Sequence, residues 1–193
     1  MMLRKLLYSS LKWRALVCLL ANRRAAALGV FERMLADFPG DAYVLASIAH
    51  IQAQQGDRRA ALATTRQLLD AQPGEGRHWF NYGFILDELG DLEQAEAAFR
   101  RATELSPTLD RAWYGLGLAL IRLKRYDEAV SALKRNTQLQ PMSPYGWYQL
   151  ARVHLDRHEP EEARKIIRHL KGFEPKVAAQ LERETGIFIP PAS

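Results

Sequence analysis

Cysteine is nearly missing from this chain: Cys18 is the only one in 193 residues, so no internal disulfide staples the fold. A reducing compartment is the simplest setting for such a composition. No histidine lies near Cys18 in sequence, so it reads as a small buried apolar residue and not as a nucleophile. Long hydrophobic runs are missing too. The uninterrupted apolar stretch from Ala15 to Ala21 is seven residues, against the roughly 20 needed to span a bilayer. The chain has no Gly-rich phosphate loop, no Ser/His/Asp set and no CxxC pair. His154 and His158 are spaced to share a helix face, but one falls on a core position and the other in a turn, so no metal site is expected. Asp87 and Glu88 are adjacent and therefore point in different directions. No catalytic residue, metal or cofactor is expected, and the chain is not expected to be an enzyme.

Acidic residues are absent from the first 31 positions, which carry Arg4, Lys5, Lys12, Arg14, Arg23 and Arg24. The formal charge of +5 is therefore local, because the remaining 21 of the 27 basic residues face 22 acidic ones. A charge confined to one end argues against a nucleic-acid surface. A secretory signal is also disfavoured, since Lys12 and Arg14 interrupt the apolar stretch and the patterning continues through it. The expected localisation is cytoplasmic, with a position peripheral to the inner membrane as the alternative. The Ala- and Arg-rich composition has a bacterial look.

What the chain does have is a period. Alanine recurs at 27, 61, 95, 129 and 163, and proline at 39, 73, 107, 141 and 175, each series stepping by 34 residues. A small residue recurs at the same interval as Ala15, Ala49, Gly83, Gly117 and Ala151. The unit is clearest at 76–109. Trp79, Tyr82, Gly83 and Leu86 share one helical face, and Ala95, Phe99 and Ala102 share another. Gly90-Asp91 separates the two helices, with Asp91 as N-cap and Gln94 as its capping-box partner. Pro107 stops the second helix.

These residues resemble the tetratricopeptide repeat, whose 34-residue pattern pairs Trp, Leu, Gly and Tyr in a first helix with Ala, Phe, Ala and Pro in a second. The resemblance implies an all-α, right-handed α-solenoid of five helix-turn-helix repeats with a C-terminal capping helix. The repeats are placed at 8–41, 42–75, 76–109, 110–143 and 144–177, behind a basic leader at 1–7 and ahead of a capping helix and tail at 176–193. In the first repeat Arg14 stands where a buried Leu is expected and Asn22 where the turn prefers Gly; the fourth repeat has Lys124-Arg125 at its turn. The leucines of the first helix are expected to pack on the leader. The capping helix is read with Val177, Leu181 and the stem of Lys176 inward and with Gln180, Glu182, Arg183 and Glu184 outward. The tail IFIPPAS either folds back on it or stays free.

The resemblance also implies a concave wall formed by the first helices, contacting ligand at recurring positions. Mapped onto this chain, those positions include Tyr43, Ala46, His50 and Ala53 of the second repeat and Tyr145 of the fifth, and the residues expected to line the groove are Arg77, Phe80, Phe84, Asp87, Arg111, Tyr114, Leu118, Arg122, Tyr148 and Arg152. Trp79, Trp113 and Trp147 are read as core, leaving Phe80, Phe84, Tyr114 and Tyr148 free to anchor a partner. The expected function is a non-enzymatic protein-interaction module, an adaptor or chaperone-like scaffold. Its partner is a protein or peptide segment with apolar and acidic groups, the latter meeting the arginines. The family's carboxylate clamp needs Lys and Asn on successive first helices; Lys12 fits, but Leu16, Phe80 and Phe84 fill the other places, so a chaperone C-terminus is not the expected ligand. The alternative is a membrane-associated assembly factor docked through the basic, leucine-rich N-terminal helix by Trp13, Leu16 and Leu20. Self-association through the same helix is a third reading.

Overall fold

The computed structural model describes residues 2–190. Among them are eleven α-helices and no strand. In chain order they are α1 (Met2–Leu20), α2 (Arg24–Asp37), α3 (Ala42–Gln54), α4 (Arg58–Ala71), α5 (Gly76–Leu89) and α6 (Leu92–Leu105). α7 (Asp110–Arg122), α8 (Tyr126–Leu139), α9 (Pro144–Asp156), α10 (Pro160–Lys171) and α11 (Pro175–Thr185) follow. Each helix packs on the next, so the chain forms five hairpins stacked into a right-handed solenoid and closed by α11.

The 34-residue period is a packing period. The second-helix alanines Ala27, Ala61, Ala95, Ala129 and Ala163 are all fully buried. Opposite them, a side chain added at Gly83 would meet the Phe99 ring at 3.0 Å, and one added at Gly117 would meet Leu133 at 2.7 Å. The helices can cross this closely only because both sides of the crossing are small.

Every hairpin also turns the same way. Gly56 and Gly90 take φ values of 83° and 86° between their helices, and the equivalent Asn22, Lys124 and His158 are held at 55°, 59° and 60°. The turn thus imposes a left-handed residue whether or not glycine supplies it. Aspartates then start the next helices: Asp41 accepts from the Val44 N–H and Asp57 from the Ala60 N–H. Asp91 likewise accepts from Gln94 N–H, but the return leg of the expected capping box is changed. The Gln94 side chain bonds the Asp91 carboxylate, because the Asp91 N–H is already given to Leu86 O. Pro160 opens α10, where its missing N–H is not needed.

Three sequence expectations are corrected. Trp79, Trp113 and Trp147 are half-buried, not core. Each donates its indole N–H to the carbonyl of the proline six residues earlier, Pro73, Pro107 and Pro141, at 2.9 Å. They tie each unit to the preceding turn. The leucines of α1 do not fold onto residues 2–7, because those residues are the first turns of the same helix. On α11 Leu181 is buried and Val177 packs on the core as expected, but the other buried residue is Ala178 and Lys176 is exposed. Glu182 instead pairs with Lys171 at 2.7 Å and accepts the Ile189 N–H at 2.7 Å. These contacts fold the tail back as far as the buried Ile189.

Hydrophobic packing is divided. One cluster joins α1, α2 and α3 around Phe31, Met34 and Ile48, and another runs from Leu86 of α5 to Ile189. The division falls at α3 to α5, and it positions the site.

Candidate functional site

On the inner wall, α5 touches α7, α7 touches α9 and α9 touches α11. α3 and α5 are not drawn together in this way. The facing side of α3 presents Ala46, Ala49 and Ala53, at spacings of three and four residues, and small side chains leave the gap unfilled. The result is a hollow of about 450 Å³ between the second and third hairpins. Phe80, Phe84 and Ile85 form its α5 side, and Thr65 and Leu68 of α4 contribute to its lining. His50 and Arg111 add polar groups. An apolar hollow with few convergent polar groups is the form small ligands and side-chain anchors occupy.

The sequence-derived wall residues divide among different roles. Phe84 is 50% exposed. Phe80 is half-buried: its ring lies 5.9 Å from Phe99 and 6.5 Å from Phe84, so it packs the repeat as well as facing the hollow. Tyr114 and Tyr148 also lean on the core cluster, and Leu118 is half-buried. Of the four wall aromatics expected to be free of packing roles, only Phe84 is. Arg111 stacks over the Phe80 ring with its guanidinium carbon 5.1 Å from the centroid. Arg122 pairs with Asp87 at 2.6 Å, so each neutralises the other. Arg77 is exposed at the start of α5, outside the hollow's lining.

Tyr148 and Arg152 belong to other hollows, near α11. One of about 470 Å³ lies between Tyr114, Tyr145, Tyr148 and Val177. Another of about 430 Å³ lies between Tyr148, Arg152, Asp156 and Glu184. Tyr148 donates to Glu184 at 2.6 Å, and Arg152 lies 5.7 Å from the Tyr148 ring centroid. That hydrogen bond is the main reason the phenol pKa is raised and the Glu184 carboxyl pKa lowered.

Sequence reasoning missed Thr65, Leu68 and Glu184. The first two are buried on a second helix, and only the run of alanines on α3 signals that a space lies above them. At the N-terminal end, Trp13 and Leu20 are exposed and Leu16 is half-buried. His154 is buried and bonded through Nδ1 to Glu159 at 2.7 Å, and His158 lies in the turn. Among the described residues no three ligating side chains gather where a metal ion would bind, and no helix is long and apolar enough to cross a membrane.

Two family profiles, both described as tetratricopeptide repeat, match residues 47–110 and 88–147, together a little over half of the chain. The chain is a tetratricopeptide-repeat protein. Members of the family are generally non-enzymatic interaction modules, and a protein-interaction scaffold is the role this membership supports. No curated protein matches the sequence. Among solved structures, the MamA protein superimposes with a TM-score of 0.81 at 14% identity, covering 96% of this chain and 98% of its own. YrrB, described as a TPR protein with an unusual peptide-binding site, superimposes at 0.77 with 19% identity over 88% of each chain. TTC0263, a thermophilic TPR protein of Thermus thermophilus, does so at 0.64 with 21% identity, covering 93% of this chain and 100% of its own. At these identities the likeness is one of fold.

Proposed function

We propose that this tetratricopeptide-repeat protein is a scaffold whose concave wall holds a segment of a partner protein, with the hollow between α3 and α5 seating an apolar side chain. The observation that carries this reading is Phe84, half exposed beside the hollow, where Phe80, Tyr114 and Tyr148 have packing roles. An exposed aromatic on the rim of a preformed hollow is the usual form of an interface anchor. Arg111 on the same rim and Arg77 two turns before Phe84 favour an acidic group near the anchored side chain. Arg122 contributes less, because Asp87 already neutralises it. The unusual peptide-binding site described for YrrB supports a ligand of the same class.

Selection of a displayed random-peptide library on the full chain tests the reading. The expected outcome is a family of peptides with a large apolar residue next to an acid. Phe84→Ala should weaken them by tenfold or more, since truncating an anchor costs about 2 kcal/mol or more, with helicity unchanged. Peptides that bind Phe84→Ala as well as the parent would remove the hollow from the function.

A further inference from the structure

The outer side of α1 carries an apolar row that nothing among the described residues covers. Leu3, Leu6, Trp13, Val17 and Leu20 recur at three- and four-residue spacing, with Ser10 completing the row, and their exposure runs from 58% at Val17 to 87% at Leu20. At about 100° per residue the row lies diametrically opposite Leu11 and Ala15, the two buried residues of the helix. It is roughly 25 Å long at 1.5 Å per residue. Among the described helices α1 packs chiefly on α2, so this side faces away from the rest of them.

The charge beside the row has one sign. Lys5 and Arg14 flank it, each about a quarter-turn from its centre, and Arg4, Lys12, Arg23 and Arg24 complete an end with no acid before Glu32. Every ion pair among the described residues lies between Arg58 and Glu182, so none of these six cations is matched by a carboxylate. Arg4 and Lys12 rest over the rings of Phe38 and Tyr43 instead. A second copy meeting this row with its own would bring like charges together. The occupant must therefore be apolar at the centre and anionic at the edges.

We propose that α1 lies along an anionic lipid surface, its row in the acyl boundary and Lys5 and Arg14 at the headgroups. The apolar arc favours lipid over a single partner helix, because Met2, Leu7 and Leu16 widen it beyond the narrow seam of a helix pair. Trp13 sits within the row, and an indole, apolar in body and polar at its N–H, suits the headgroup boundary. Because no described helix can cross a membrane, α1 would lie in the plane of the surface. This proposal is independent of the groove.

Co-sedimentation of the full chain with phosphatidylcholine vesicles, with and without phosphatidylglycerol, tests it. The chain should pellet only with the anionic vesicles, release at high salt and shift its tryptophan emission to the blue, a shift that Trp13→Phe should remove. Lys5→Gln with Arg14→Gln should lower partitioning about thirtyfold, as each cation near such a surface is worth roughly fivefold. Leu6→Gln, Val17→Gln and Leu20→Gln together should abolish binding while leaving the thermal melt unchanged, since all three are solvent-exposed. Failure to pellet, equal pelleting with neutral vesicles, or binding that both variants retain would overturn the proposal. A dimer that the apolar variant dissociates, or capture of an acidic partner helix without vesicle binding, would assign the row elsewhere and overturn it equally.

Discussion

Tyr148 on the concave wall donates its phenolic hydrogen to Glu184 on the closing helix across 2.6 Å. The bond joins α9 to α11 and closes the far end of the groove, so the cap is an electrostatic partner of the wall as well as an apolar lid. Glu182 plays the matching part beneath the tail, held by Lys171 and the Ile189 N–H.

Both carboxyls therefore have lowered pKa values, Glu182 chiefly through the hydrogen bond from Lys171 and Glu184 chiefly through that from Tyr148. A carboxyl with a lowered folded pKa contributes stability that is fully present above its unfolded value, about 4.3, and is lost as pH falls through the folded value. The cap and tail should accordingly loosen on acidification below about pH 4, read as a shift of the Ile189 amide resonance. In Tyr148→Phe the Glu184 titration should move up toward the ordinary carboxyl range while that of Glu182 stays in place. A Glu184 titration unmoved by the substitution would show that the phenol does not hold it.

The left-handed turn residues give a second prediction. Lys124 occupies φ of 59° where Gly56 and Gly90 stand in neighbouring hairpins. The left-handed conformation costs a residue with a Cβ roughly 1–2 kcal/mol, partly offset by the greater chain entropy that glycine loses on folding. Lys124→Gly should raise stability by about 0.5–1 kcal/mol in urea unfolding. Asn22→Gly should gain less, because asparagine visits this conformation more readily.

The period of 34 made the solenoid legible, because a repeat fixes which residues face each other in every unit at once. Ala27 through Ala163 needed no structure to be placed at the crossings. The site was only partly legible, for two physical reasons. Phe84 and Phe80 look alike in sequence one turn apart, yet Phe99 lies against Phe80 and leaves Phe84 exposed. Arg122 and Asp87 come from adjacent repeats, and their pairing depends on how the hairpins stack, which no single repeat encodes. Glu184 escaped for the same reason: its partner Tyr148 lies 36 residues away.

Glycines separate by the space around them. A Cβ at Gly146 would stand 2.1 Å from Asn136 Oδ1, and Asn136 is buried with its amide donated to Asp110 O at 2.9 Å. Gly146→Ala must displace that amide and should cost about 1–3 kcal/mol. Gly29 lies inside α2 with nothing within 4 Å of the added carbon. Gly29→Ala should stabilise by about 0.5–1 kcal/mol, the helix-propensity difference. Urea midpoints moving in opposite directions for the two variants would confirm the packing; a shared direction would contradict it.

The tryptophans give the last test, because the same substitution should matter at one position and not at another. Trp113 donates its indole N–H to Pro107 O at 2.9 Å and rests half-buried against the core. Phenylalanine keeps most of that contact and loses the donor, so Trp113→Phe should cost about 1 kcal/mol, the net worth of a single hydrogen bond. Trp13 is two positions later in its unit, where Gly115 stands in the fourth, and is 68% exposed. The place of Trp113 is taken in the first unit by Leu11, which is buried and has no N–H to offer a turn. Trp13→Phe should therefore leave the urea midpoint unchanged. If both variants shifted it alike, the loss would come from aromatic surface, and the tie from each tryptophan to the preceding proline would have no energetic role.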